Sequence, residues 1–432
     1  MLDKADGKIG YYSTEDVEQL VYDLLEDGDS DEAMRACQIG LDQHPGDDLL
    51  ELVEAKILVH MQRLDEAERI MDSKPMDQSP FEMSIRFGIM VSHGDTTTAL
   101  EILDERLEQN YVTTNEYVEI MDEMFDLLPK QEMAEHLQWA AKLSAGRKKG
   151  QDEAEALGRI GAMLMDCCCH KEAIPVLEMA LDQDAYDVYT WQDLSRCQFE
   201  LKMYDKCANS CEMGLAIDPQ NPLFNFALGF IRFSDGDFAG CIENLEIASQ
   251  YAEGKLKHEE VRIDRSEAEN QTFLTYEMLG SSYMELERFD EAIACFQKLA
   301  DRAPLFDEVY MKLATLYMTK GDTPNALAQI NHAIELQPQK TEYKTLRVAL
   351  LTDMHRFDEA VSQLDELLKQ QPRSKSFLLA KAELSMTLKR YEEADKAYRS
   401  LLKLKPRDNT SLTLLRSYFE AIGDEEALSK LK

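Results

Sequence analysis

The stretch Glu285–Ala292, E-L-E-R-F-D-E-A, returns as D-M-H-R-F-D-E-A at Asp353–Ala360 and as T-L-K-R-Y-E-E-A at Thr387–Ala394. The last two begin 34 residues apart, and the first two are separated by twice that. Working outward, Tyr276, Tyr310, Lys344, Leu378 and Leu412 stand at the same interval of 34. Sixteen residues after the first four come Ala292, Ala326, Ala360 and Ala394, and twelve residues after those come Pro304, Pro338, Pro372 and Pro406. A fixed period of this length marks an array of supersecondary units, none of which can bury its own apolar face alone.

Within each period the apolar residues recur at helical spacing, in two runs of about a dozen residues. Small residues at fixed places suit helices that cross closely, since a larger side chain there would hold the backbones apart. Gly-Asp recurs at one place in the register: Gly28-Asp29, Gly94-Asp95, Gly236-Asp237, Gly321-Asp322 and Gly423-Asp424. Glycine can close the first helix in a left-handed conformation, and the aspartate can accept from the free N–H groups that open the second. Proline after the second helix stops it. No segment reads as a strand.

This pattern resembles the tetratricopeptide-repeat family, in a bacterial-type, many-repeat form. Its W-x2-L-G-x2-Y helix, small-residue and aromatic second helix and closing proline are matched by Leu279, Gly280, Tyr283, Ala292, Phe296 and Pro304. Trp191, Leu194 and Cys207 through Pro219 match as well. The register runs backward through Leu157 with Gly161 and Ala173, Met83 with Ala99, Glu51 with Ala67, and Val17 with Ala33 and Gly40. The unit at Asn225 has Cys241 in the small-residue slot, and the degenerate unit around Tyr117 has Met133 there. Eleven full units and a partial one are expected. The fold class is therefore all-α, a right-handed superhelical solenoid of about twelve helix-turn-helix units.

Two interruptions set the expected organisation. A polar link occupies 148–153, between N-terminal units in 1–147 and further units in 154–255. An insertion at 256–272, expected to lengthen the preceding helix or loop outward, comes before the C-terminal units and capping helices of 273–432. The whole is expected to form one continuous solenoid.

The chain of 432 residues carries 47 basic and 83 acidic side chains, for a net charge of -36. The first 300 residues hold -37 and the remainder +1. Nucleic acid and anionic membrane surfaces are poor partners for such a surface, because both are bound through Lys and Arg. A solvated acidic face, or a cationic partner docking along the first two thirds, fits better. No apolar run is long enough to span a bilayer. No leader pattern opens the sequence, so the nine cysteines read as reduced thiols and the expected location is cytoplasmic.

Asp166–Ala173, D-C-C-C-H-K-E-A, resembles a metal or redox centre when taken alone. The register instead puts Cys167, Cys168 and Cys169 in the turn between two helices. Three adjacent cysteines cannot easily place their sulfurs tetrahedrally around one ion. No metal, cofactor or catalytic residue is expected. The chain has no phosphate-cradling glycine loop, H-E-x-x-H, C-x-x-C or nucleophile elbow, and its eight histidines are scattered.

The resemblance implies a groove lined by the first helix of each pair. The two-carboxylate clamp of chaperone-binding members is absent, its slots holding Glu277, Ser281, Lys312, Glu342 and Leu346. The asparagine ladder of the glycosyltransferase-linked repeats is absent too, its slots holding Gln19, Val53, Asp193, Ala227 and Met278. The inner slots are apolar in mid-chain: Phe226, Phe230, Phe233, Met278, Met284, Met311 and Met318. These either line a groove for an amphipathic or extended apolar protein segment, or lie covered by neighbouring helices. The chain reads as a non-catalytic protein-interaction scaffold. The alternative is a regulatory or assembly subunit of an enzyme complex that self-associates through a terminal face.

Overall fold

The computed structural model describes residues 13–26, 28–74, 79–147, 150–255, 265–404 and 409–430. The regular structure among them is helical, with no strand. The chain forms two compact units, Met1–Gln220 and Asn221–Lys432.

The first unit holds α1 (Thr14–Glu26), α2 (Ser30–Gln43), α3 (Asp48–His60), α4 (Leu64–Ser73), α5 (Pro80–Ser92), α6 (Thr96–Glu108), α7 (Thr114–Glu123), α8 (Lys130–Ala145), α9 (Gln151–Asp166), α10 (His170–Leu181), α11 (Val188–Glu200) and α12 (Tyr204–Ile217). The second holds α13 (Pro222–Asp235), α14 (Phe238–Ala252), α15 (Arg265–Glu285), α16 (Phe289–Arg302), α17 (Asp307–Thr319), α18 (Thr323–Leu336), α19 (Thr341–Asp353), α20 (Phe357–Gln370), α21 (Lys375–Thr387), α22 (Tyr391–Leu404), α23 (Asn409–Ile422) and α24 (Glu425–Lys430). Each odd-numbered helix pairs with the next from α1–α2 to α23–α24, and the 34-residue spacing holds without a break from α15–α16 onward. This is a helical-repeat solenoid.

The small-residue slot is where the two helices of each pair meet. Ala33, Ala67, Ala99, Met133, Ala173, Cys207, Cys241, Ala292, Ala326, Ala360 and Ala394 are all fully buried. Gly161, Gly229 and Gly280 of the first helices face Leu177, Leu245 and Phe296 of the second. A Cβ built on Gly280 would stand 2.7 Å from the Phe296 ring, closer than carbon atoms approach, so only hydrogen fits there.

Eleven of the twelve pairs among the described residues turn through one left-handed residue. It is glycine at 28, 94, 236, 321 and 423, and elsewhere Gln62, Cys168, Lys202, Glu287, His355 or Lys389, with φ of 57–60°. The hydrogen bonds explain the repetition. At α15–α16, Glu287 N–H donates to Met284 O (3.0 Å) and Arg288 N–H to Tyr283 O (2.8 Å). Two orphan carbonyls at the helix end are thereby satisfied. The following aspartate caps the second helix as expected at Asp29 (3.3 Å to Glu32 N), Asp237 (3.0 Å to Gly240 N) and Asp322 (3.3 Å to Asn325 N). Asp95 does not cap the backbone, and its carboxylate accepts from Thr98 Oγ1 (3.4 Å) instead. The exception to the turn is α7–α8, the degenerate unit, where Met124–Leu128 replace the left-handed turn with tight local bonds.

Helix α15 is the longest, and it begins inside the expected insertion. Residues 265–272 extend the following helix rather than the preceding one, which ends at Ala252. The rest of the insertion, 256–264, and Lys148 and Lys149 of the expected link lie outside the described residues, as does Pro406. Three of the remaining link residues, Gln151 to Glu153, are the first turn of α9.

Candidate functional site

The seven apolar residues expected on the inner face all belong to the unit 221–432 and do not share one environment. Phe226 and Met278 are 7% and 5% exposed and belong to the core of that unit. Both pack in that core, which agrees with the covered reading for these two positions. Phe230 and Phe233 on α13, Met284 on α15, and Met311 and Met318 on α17 are half-buried and rest against the same core. Phe233 also meets Phe238 edge-on, with ring centroids 5.9 Å apart.

A bridge that the sequence did not announce lies between the methionines. Lys312 of α17 reaches to α15, where its Nζ donates to Glu277 Oε1 (3.2 Å) and Ser281 Oγ (3.4 Å). The ammonium also stands 5.1 Å from the Phe296 ring centroid, close enough for a cation–π attraction. The three residues occupy slots of the missing clamp, and they tie one first helix to the next instead of facing outward as a clamp.

Other residues join successive pairs on a second surface. Seven residues after the register position, Tyr283 donates its hydroxyl to Glu246 Oε1 on the preceding pair (2.6 Å). One pair later Tyr317 accepts from Gln297 Nε2 (2.9 Å). Ion pairs Lys320–Asp290 and Arg390–Asp358 do the same between turns, and Lys340 pairs with Asp307 (2.6 Å). Glu253 is held down to about 2 by hydrogen bonds from Lys255, Lys298 and Tyr276, against the opposing effect of its burial. The pairing of Tyr283 with Glu246 was findable in sequence, since both sit at fixed offsets in the register.

The cysteine triplet occupies the α9–α10 turn, as the register required. Cys167 closes α9 and is buried, Cys168 is the exposed left-handed residue, and Cys169 precedes α10 half-buried. Burial pushes the Cys167 thiol up to about 11 and raises that of Cys169. Among the described residues, no group of three or more His, Cys, Asp and Glu converges on a point that could hold a metal ion. No helix among them is long and apolar enough to cross a membrane.

Comparison with known proteins matches the tetratricopeptide-repeat family model at residues 277–341 and 350–409. Two curated relatives from Arabidopsis thaliana are protein kinesin light chain-related 3, 23% identical over 240 residues, and protein kinesin light chain-related 2, 24% identical over 179 residues. The alignments take in 51% and 37% of this chain. The chain spans only about a third of the length of the first relative and a quarter of the second (34% and 25%). Among solved structures, the crystal structure of YrrB, described as a TPR protein with an unusual peptide-binding site, is 16% identical. It aligns over 49% of this chain and 96% of its own, with a TM-score of 0.39, too low to support any inference. The 34-residue register and the buried crossing residues agree with the family-model match, which identifies tetratricopeptide repeats at residues 277–341 and 350–409.

Proposed function

We propose that the protein is a non-catalytic scaffold and that residues 221–432 offer an apolar face to a protein or peptide partner. The observation that supports this reading is the half-burial of Phe230, Phe233, Met284, Met311 and Met318. Three consecutive first helices thus carry large apolar side chains that the unit's own packing leaves partly open. Aromatic rings supply rigid contact area, and methionines adapt to varied partners. Glu277 and Lys312 in their midst are already paired, so the recognition proposed is of an apolar or amphipathic segment rather than a carboxylate. The net charge of -36 supports a protein partner rather than nucleic acid or an anionic membrane surface.

The test selects binding peptides from a displayed library on the wild-type protein and measures them on Phe230→Ala and Met311→Ala. Interface energy concentrates in a few anchors, so affinity should fall more than about tenfold, or about 1.4 kcal/mol, with the melting temperature nearly unchanged. A marked loss of stability with affinity intact in the folded fraction would assign these side chains to the core and overturn the reading.

A further inference from the structure

We propose that a cleft between α10 and α12 receives a tyrosine side chain from a partner segment, in the place of a tyrosine that this repeat lacks. The site lies in the unit 1–220 and is independent of the face proposed for residues 221–432.

The argument comes from comparing the same register position along the chain. Tyr283 and Tyr317 each stand on a first helix and reach back to the second helix of the preceding pair. The hydroxyl is tied to the residue 21 positions into the preceding repeat, Glu246 in one case and Gln297 in the other. In the repeat that starts at Trp191 the equivalent residue is Gln198, and the equivalent partner is Glu178. The glutamate is present and the tyrosine is not. A cleft of about 410 Å³ opens at that place, with Gln198 at its floor and Glu178 at its rim.

The lining suits a phenol. Trp191, Leu194 and Met213 supply apolar walls. Gln198 is 2% exposed, and its Oε1 accepts from Ser210 Oγ (2.8 Å), which directs its amide N–H groups away from Ser210 as donors. The Glu178 carboxylate is available as an acceptor in the role that Glu246 plays for Tyr283. A ring entering here meets the apolar walls, and its hydroxyl finds the carboxylate acceptor that Glu246 offers Tyr283.

The corresponding cleft at Leu58, about 330 Å³, sharpens the choice. There Glu54 replaces the apolar Leu194, and Glu66 and Arg69 line the walls. Charged side chains line both clefts, Glu178, Asp182 and Lys206 at the first, but only the cleft at Gln198 has an indole wall, at Trp191, beside an apolar Leu194, so the proposal is confined to it.

The test uses the full chain carrying Trp139→Phe, which leaves the Trp191 indole N–H as the single tryptophan signal in a nitrogen-15 spectrum. N-acetyl-tyrosinamide is the probe, and N-acetyl-phenylalaninamide is the comparison. The tyrosine compound should shift the Trp191 signal saturably in the millimolar range, and the phenylalanine compound should bind about fivefold or more weakly. Gln198→Tyr with Ser210→Cys rebuilds the surroundings of Tyr283, which has Cys295 nearby. This variant should fill the cleft, abolish the shift and raise the melting temperature. Met213→Phe, at a side chain that is 51% exposed, narrows the mouth without touching the core or adding an indole, and should also abolish it. The absence of a saturable shift, equal binding of the two compounds, or binding undiminished in the Met213→Phe protein would each overturn the proposal.

Discussion

A left-handed residue costs a side chain about 1–2 kcal/mol that glycine is spared. Five of the turns place glycine there and six do not, so the six carry a removable strain. Glu287→Gly should stabilise the protein by roughly 0.5–1 kcal/mol, the increased freedom of the unfolded chain offsetting part of the relief. Chemical denaturation with an unchanged slope is the measurement, and a loss of stability would contradict the turn geometry. A second single-residue effect concerns pH. Asp104 accepts from the buried Tyr117 hydroxyl (2.7 Å) and lies 2.6 Å from His136 Nδ1. That hydrogen bond raises the His136 pKa above its ordinary 6.5, burial opposes it, and Glu135 and Glu132 add to the rise. Folding therefore favours the protonated ring. The stabilisation is complete below the unfolded-state pKa and disappears as pH climbs through the higher folded value. Wild-type protein should lose more stability than His136→Asn as pH climbs from below 6.5 through the raised folded value. Parallel slopes for the two would remove His136 from the account.

At the scale of helices, the crossing slot governs. Ala292 is fully buried where α15 meets α16, and Ala292→Trp should cost about 1–3 kcal/mol or more by forcing the pair apart. Thermal melting checks it, and an unchanged midpoint would break the register. This slot was readable in the sequence because crossing helices tolerate so few side chains that the same small residue returns every 34 positions. The start of α15 was not readable. Arg265 to Gln271 are polar and carry no apolar period, so nothing in them separates a solvated helix from a loop. The candidate face was half-legible for a related reason. Helical spacing puts Phe226, Phe230 and Phe233 on one stripe, yet the neighbouring helices cover Phe226 and leave Phe230 half-open. Periodicity names a stripe and leaves its edge to the packing.

At the scale of the whole molecule, charge and architecture part company. Residues 1–220 hold 48 acidic and 19 basic side chains, against 35 and 28 in residues 221–432, yet both units repeat the same pairs. The architecture therefore rests on the apolar register, and the surface charge is free to vary around it. In the second unit that register is reinforced by side chains which each reach one repeat and no further, among them Tyr283 to Glu246, Lys312 to Glu277, Lys320 to Asp290 and Arg390 to Asp358. Such short-range linkage makes the unit behave under tension like a zip. If the chain is pulled from its C-terminus, a repeat can detach once the bonds to its single inner neighbour fail, with those deeper in the stack undisturbed. Force spectroscopy on the C-terminal repeats should then record a succession of small rips, each releasing about 11–12 nm of contour for 34 residues. A single large rip would mean that tension is shared across many repeats at once. The Lys320→Ala protein should yield earlier than the wild type at one rip and match it at the rest, turning a surface ion pair into a position marker along the extension trace.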